Sequence, residues 1–295
     1  MIDTKLTAAL TAVLDEAGFE KAASRLGITQ SAVSQRLRLL EEQLGAPVLV
    51  RSNPPRPTAV GQVLLRHHRK VAQLEEELWT DLRANTAGPT RLAVAVNADS
   101  LATWFLEAVQ PLIISGRIML DIHVDDQDVT EALLHNGEVV GCISTRKTQF
   151  RGCECRRLGR MDYLCVATPA FAERWFPEGL TVSSLTTAPA VVFNRKDAVH
   201  DRFLGAVFGH VCDKKDAPRH YVPSSESFVD FILAHCAYGL VPQPQAQKHL
   251  DTATLVNLSP GNTCPVHLYW HVWNIGSRVL EELTDCLVGA WGTDL

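Results

Sequence analysis

The stretch Phe19-Glu20-Lys21-Ala22-Ala23-Ser24-Arg25-Leu26-Gly27-Ile28-Thr29-Gln30-Ser31-Ala32-Val33-Ser34-Gln35-Arg36-Leu37-Arg38-Leu39-Leu40 reads as two short helices joined by a tight turn. Phe19, Ala22, Ala23 and Leu26 fall on one face of the first helix. Gly27 can end that helix without backbone strain, and Ile28 can plug the gap that follows. Thr29 suits the cap of the next helix, predicted from Gln30 to about Gln43. On it Val33, Leu37, Leu40 and Leu44 make the inward stripe, which leaves Gln30, Ser31, Ser34, Gln35 and Arg38 outward. This is the pattern of a helix-turn-helix, whose second helix enters the major groove of double-stranded DNA.

The outward residue types suit that task. Gln and Arg can make bidentate contacts to adenine and guanine edges, and serines at a helix start can hold phosphate. Val48-Leu49-Val50-Arg51 reads as a short strand, and Asn53-Pro54-Pro55-Arg56-Pro57 as a rigid turn. Together they predict a wing with Arg51 and Arg56 near its tip. A solvated helix face and a plain proline loop would explain each feature singly, but not their conjunction.

From Thr58 to about Ala84 the chain reads as one long helix. Val60, Leu64, His67, Val71, Leu74, Leu78 and Leu82 recur at alternating steps of four and three, and only His67 breaks the apolar series. Such a stripe can pack on its own domain or on a second copy. A helix so long and exposed needs a partner, so Val60, Leu64, Val71, Leu74 and Leu78 are expected at a homodimer contact. Glu75, Glu76, Glu77 and Asp81 are expected to stay solvated. Asn85-Thr86-Ala87-Gly88-Pro89 then ends the helix as a hinge.

Beyond the hinge, apolar runs alternate with helical stretches. Arg91–Val96, Met119–Val124 and Val139–Ile143 read as strands, with helices over Ser100–Pro111 and Val129–Asn136. A comparable pattern runs from Tyr163 to about Leu258. Alternation of this kind predicts a largely parallel α/β sheet, with ligands at the carboxyl ends of its strands. The expected fold is thus an all-α winged helix-turn-helix (1–57), a linker helix and hinge (58–90), and an α/β domain (91–295).

Bulk properties agree. Residues 1–72 carry a net charge of +4 and the remainder −9, a basic head on an acidic body. No apolar run reaches the roughly 20 residues that span a bilayer, and Met1-Ile2-Asp3-Thr4-Lys5 lacks a signal-peptide pattern. The expectation is a cytoplasmic protein with no membrane partner. The eight cysteines form no paired C-x-x-C framework, which favours reduced, mostly buried thiols and no metal. A redox role for Cys153 and Cys155 stays open. The chain shows no P-loop, G-x-G-x-x-G, H-E-x-x-H or G-x-S-x-G motif, so neither an enzyme nor a cofactor is expected.

The segment Ala22-Ala23-x-x-Leu26-x-Ile28-Thr29-Gln30-Ser31-Ala32-Val33-Ser34-x-x-Leu37-x-x-Leu40-Glu41 resembles the signature of the LysR-type transcription regulators. Leu44-Gly45-x-Pro47-Val48-Leu49-Val50-Arg51 and Thr58-x-x-Gly61 continue the resemblance. Four further segments resemble the ArgP branch, also called IciA or LysG. They are Leu92–Trp104, Gly137–Gly141, Ser224–Phe228 and Leu268–His271.

This resemblance implies an effector domain of two α/β subdomains around a cleft, similar to periplasmic binding proteins. The first subdomain would hold about 91–164 and 267–295, the second about 165–266. It also implies an L-arginine or L-lysine effector, control of export or metabolism of that amino acid, and RNA polymerase as a partner. A homodimer is implied, with a tetramer as a further possibility. The branch also suggests an alternative, inhibition of chromosome replication initiation without small-molecule control.

For the cleft, Ser100 is expected as an N-cap whose turn offers amides to an α-carboxylate, with Thr103 beside it. A cationic side chain needs a carboxylate, and Asp126 and Glu226 are the preferred acids. Ser144, Thr145, Asn194 and Ser225 are expected to line the cleft, whereas Trp104 and Trp270 belong to the core.

Overall fold

The structure, a computed structural model, describes residues 2–82, 88–124, 127–209 and 217–291. The head comprises α1 (Thr4–Asp15), α2 (Phe19–Leu26), α3 (Gln30–Leu44), β1 (Leu49–Val50) and β2 (Arg56–Pro57). Gly27 takes a left-handed φ of 64°, which lets the Ile28 amide reach back to the Ala23 carbonyl at 3.1 Å and stop α2. Thr29 Oγ1 accepts from the Ala32 amide at 3.2 Å and starts α3. Leu6, Leu10, Val13, Ala22, Val33, Leu37, Leu40 and Val48 close one apolar core.

Helix α4 (Ala59–Leu82) follows directly. Thr58 caps it, accepting from the Gly61 amide at 3.1 Å. The expected stripe divides here. Leu64 is only 6% exposed and belongs to the head core, so it is withdrawn from any contact with a second chain. Burying that side chain stabilises the head by roughly 1.5–3 kcal/mol. Val60, Val63, Leu74, Leu78, Trp79 and Leu82 remain exposed. The spacing of the stripe was right, but α1 packs across one edge of it.

Helix α4 also docks on the following domain. Gln62 Nε2 donates to the Asn136 carbonyl at 2.9 Å, Arg66 Nη1 to that of His135 at 3.1 Å and Lys70 Nζ to that of Gly152 at 3.0 Å. Glu76 and Glu77 were expected in solvent. Glu76 is exposed as expected while accepting from the Arg91 amide at 3.3 Å, whereas Glu77 is half-buried and accepts from the Val279 amide at 3.2 Å. The predicted hinge residues Asn85, Thr86 and Ala87 lie outside the described residues.

The rest forms one nine-stranded sheet with helices packed around it. Its elements begin with β3 (Thr90–Val96) and a helical stretch made of α5 (Ala98–Ser100), a π turn (Leu101–Phe105) and α6 (Leu106–Ile114). Next come β4 (Ile118–Val124), α7 (Gln127–Asn136), β5 (Gly141–Ser144) and the long β6 (Cys153–Ala167). Then follow α8 (Pro169–Trp175), α9 (Val182–Thr187), β7 (Ala190–Val192), α10 (Val199–Phe208) and β8 (Arg219–Tyr221). The chain continues through α11 (Ser225–Leu233), β9 (Tyr238–Pro242), α12 (Gln243–Asp251), β10 (Val256–Asn257), β11 (Cys264–Trp273) and α13 (Arg278–Gly289).

The strand order is β4-β3-β5-β11-β6-β9-β7-β8, with β10 also on β6. Strands β4, β3 and β5 are parallel, as are β8, β7 and β9. The sheet is not largely parallel throughout, because β6 and β11 join these two blocks and run antiparallel to each other and to their neighbours. A chain that crosses from one block to the other and returns must lay its two crossing strands in opposite directions. Trp104 and Trp270 are core residues as expected, and Trp270 Nε1 donates to Thr284 Oγ1 at 3.0 Å. Cys142, Cys153, Cys165 and Cys264 are buried free thiols, while Cys236 is exposed. Among the described residues, no helix is long and apolar enough to cross a membrane.

Candidate effector cavity and nucleic-acid interface

On α3, Val33, Leu37 and Leu40 face the head core. Gln30, Ser31, Gln35 and Arg38 are exposed, and Ser34 is half-buried. The Ser31 hydroxyl sits 2.9 Å from that of Thr29, so the helix start carries two hydroxyls and unpaired amides for a phosphate. Arg56 pairs with Val50 in the β1–β2 ladder, and Arg51 follows β1. Both arginines are exposed and flank the wing loop. The sequence-predicted interface residues therefore form an outward set on α3 and on the wing.

A prediction follows from this charge. DNA affinity should fall steeply with salt, and Arg51→Ala should weaken binding to all sequences alike while lowering the log-log salt slope by about one. Fluorescence anisotropy across a salt series reads both quantities. An affinity insensitive to salt would remove the phosphate role.

The second feature is a cavity of about 370 Å³ among the described residues. That volume falls within the range of roughly 300–1,000 Å³ usual for small-molecule sites. Its walls come from the turn after β3 (Asn97, Asp99), the turn before α10 (Asn194, Asp197) and the start of α11 (Ser225). Thr145 follows β5, and Tyr163 and Val266 reach in from the crossing strands. The cavity thus lies at the carboxyl ends of β3, β5 and β7, where an open α/β sheet offers its loops.

Of the residues expected at the cleft, Thr145, Asn194 and Ser225 line this cavity. Ser100 does not. Asn97 is the cap, and its Oδ1 accepts from the Ser100 amide at 2.7 Å, so Ser100 is turned inside and fully buried. Its amide is already spent on that cap. Thr103 donates to the Asp99 carbonyl at 2.6 Å within the helical turn and is not on the wall. Ser144 donates to Glu131 at 2.6 Å and accepts from the Arg146 amide at 3.0 Å, which holds it below the surface. Glu226 is exposed on the first turn of α11 and does not line the cavity. Asp126 lies outside the described residues.

The acids that do line it are Asp99 and Asp197. Asp99 Oδ2 accepts from the Tyr163 hydroxyl at 2.6 Å and Oδ1 from that of Ser225 at 2.7 Å. Burial pushes the Asp99 carboxyl above its usual range, against the pull of these two hydrogen bonds. Asp197 accepts from the amides of Val199 and Phe193 at 2.8 and 3.4 Å, and burial raises it too. Lys196 and Arg202 bring positive charge to the same cavity. Opposite charges on facing walls suit a zwitterion. Asp99 lies within the segment Leu92–Trp104 but was not among the acids expected at the cleft. The readable signal was its place directly beyond a strand's carboxyl end.

These two features, a winged helix-turn-helix head and a ligand-sized cavity in a separate α/β domain, are those of a DNA-binding transcription regulator. The sequence model of "Bacterial regulatory helix-turn-helix protein, lysR family" matches residues 5–62, and that of "LysR substrate binding domain" matches residues 115–292. The chain belongs to the LysR family, whose members are DNA-binding transcription regulators and not enzymes.

Within that family it is similar to the HTH-type transcriptional regulator ArgP of Photobacterium profundum. The two are 44% identical over 288 residues, covering 97% of this chain and 96% of the other. Its fold is similar to the crystal structure of ArgP from Mycobacterium tuberculosis, with a TM-score of 0.91 at 34% identity over 98% of this chain and 97% of that one. Full-length LysG from Corynebacterium glutamicum with bound effector Arg is also similar, with a TM-score of 0.82 at 31% identity over 98% of both chains.

Proposed function

We propose that DNA binding by this regulator answers to a basic amino acid, L-arginine or L-lysine, held in the cavity between the β3 and β7 turns. The reading includes control of that amino acid's export or metabolism. The observation that carries it is the pair of carboxylates, Asp99 and Asp197, on the wall of a cavity that also holds Lys196 and Arg202. A carboxylate can pair with the cationic side chain, and the basic residues with the α-carboxylate. The arginine bound in the similar LysG structure supports the same ligand class. A DNA binder that ignored small molecules would have no use for such a cavity.

In this reading residues 1–57 bind double-stranded DNA through Gln30, Ser31, Ser34, Gln35, Arg38, Arg51 and Arg56. Residues 58–90 join two copies, and the rest senses the effector. Its two lobes are about 91–164 with 267–295, and about 165–266. The protein works in the cytoplasm with RNA polymerase as a partner. The ligand acts only by binding one arrangement of the lobes better than another. Helix α4 is tied to the sensing domain by Gln62, Arg66 and Lys70, so a change there is passed to the heads.

Calorimetric titration tests the ligand class. Arginine and lysine should bind, whereas citrulline and norleucine, which lack a side-chain cation, should bind at least about tenfold more weakly. Equal binding of citrulline and arginine, or no binding by any of the four, would end this reading and leave the DNA-binding assignment intact.

A further inference from the structure

The pattern Cys153-Glu154-Cys155 lies in neither the head nor the cavity wall. Strand pairing gives it a partner. Cys155 on β6 stands opposite His271 on β11, and His271 stands opposite Cys142 on β5. Residues opposite each other share a face of the sheet, so these side chains form a row over three adjacent strands. Cys153 follows on the same face, two places along β6. His271 and Cys142 are fully buried, whereas Cys155 is half-buried at the rim.

The loop after β5 closes over this row. The Arg146 carbonyl accepts from His271 Nε2 at 2.8 Å, and the Lys147 carbonyl from Cys155 Sγ at 3.6 Å. Phe150 lies against the imidazole with ring centroids 4.6 Å apart. Cys155 Sγ and His271 Nε2 are 3.8 Å apart. A closed-shell metal ion bonds a thiolate sulfur at about 2.3 Å and an imidazole nitrogen at about 2.05 Å, and with those bonds about 120° apart the two donors stand about 3.8 Å from each other.

Disulfide chemistry fits the same cysteines poorly. Side chains two places apart on a strand start about 6.6 Å from each other, whereas a disulfide needs Cβ atoms about 4 Å apart. Burial also raises the Cys155 thiol above its usual value, so it lacks the thiolate character of a peroxide-reactive cysteine. Among the described residues no three His, Cys, Asp or Glu side chains gather to hold an ion, which sets the pair apart from a four-ligand zinc centre.

We propose that Cys155 and His271 form a site for a soft, low-coordinate, monovalent metal ion, Cu(I), bound between Sγ and Nε2 at the rim of the sheet. Thiolate and imidazole are the donors such an ion prefers, and few protein ligands suffice for it. Charge favours a monovalent ion as well. Lys147 bears on Cys155 as a positive charge, and a thiolate with one Cu(I) adds no net charge beside it. On binding, the Cys155 thiol gives its proton to solvent, and the imidazole proton passes from Nε2 to Nδ1. Nδ1 is buried without a hydrogen-bond partner among the described residues, so no neighbour holds it deprotonated. The site is separate from the effector cavity, and no fixed C-x-x-C spacing announces it, because its two ligands are brought together only by strand pairing.

The experiment is anaerobic titration of the reduced full chain with Cu(I) in competition with bicinchoninate, a chromophoric Cu(I) chelator. Wild type should withdraw one Cu(I) per chain. Cys155→Ser should weaken that binding by more than about 100-fold, since losing even a group behind a metal ligand costs about 10- to 100-fold. Cys236→Ser, which removes an exposed thiol elsewhere, should change nothing. His271 is fully buried, so its role is read on wild type by X-ray absorption rather than by a variant. The copper should show one sulfur at about 2.3 Å and nitrogen at about 2.0 Å. No withdrawal of Cu(I) from bicinchoninate, undiminished binding by Cys155→Ser, loss of binding in Cys236→Ser, or a shell of sulfur alone would each overturn the site.

Discussion

Replacing Leu74 and Leu78 together with Asp should break the proposed homodimer into monomers. Both side chains are exposed on α4, at 39% and 55%, one turn apart on the face that also carries Val60, Val63 and Leu82. Pairing two such helices would place the four new carboxylates in an apolar seam, where each unpaired charge costs several kcal/mol. The reverse control is Leu64→Asp. That side chain is buried among α1 and α3 residues, so its loss should unfold the head and leave the exposed face intact.

Sedimentation equilibrium separates the outcomes. A Leu74→Asp/Leu78→Asp protein that still dimerises with unchanged affinity would move the interface elsewhere. DNA binding should change in step. A dimer sets two recognition helices one DNA turn apart or a multiple of it, and a monomer can hold only one half-site.

Gly61→Ala should destabilise the head by about 2 kcal/mol, although alanine is the better helix former by about 1 kcal/mol. The reason is a crossing. Helix α4 begins directly against the end of the strand segment before β1, and the Thr58 amide donates to the Val48 carbonyl at 3.0 Å. A Cβ on Gly61 would overlap that same carbonyl. Neither backbone can yield without breaking the cap at Thr58 or shifting the wing. Overpacking against fixed backbone costs about 3 kcal/mol, which outweighs the gain in helix propensity. Urea unfolding of the variant, together with its DNA affinity, tests this. A variant as stable as wild type would mean the crossing is looser than the structure has it.

Local rules explain why the head was readable. Gly27, Thr29 and the apolar steps from Val33 to Leu44 each act on neighbours within a turn or two, and all point to the same two helices. The strand and helix pattern after the hinge was readable for the same reason. The antiparallel course of β6 and β11 was not, because their pairing joins residues about a hundred positions apart.

The effector site shows the limit more sharply. The cap was expected at Ser100, one turn too late, since Asn97 is an equally good cap and only the observed dihedrals decide between them. Ser144 has the right polarity and follows the right strand, yet Glu131 on α7 claims its hydroxyl. Glu226 lies beside Ser225, but the turn of α11 sends one to the cavity and the other to solvent.

By itself the sequence determined a two-part molecule, a helix-turn-helix head with an outward polar face, a long helix with an apolar stripe, and an α/β domain of alternating strands and helices. Those are consequences of spacing, capping and composition, which act over a few residues. Only the tertiary structure decided that Leu64 leaves the stripe for the head core, and that Asp99 and Asp197 are the acids of the cavity. Asp99 and Ser225 are 126 positions apart and meet at 2.7 Å. A carboxylate's burial and partners depend on which distant segments close around it, and no local pattern records that.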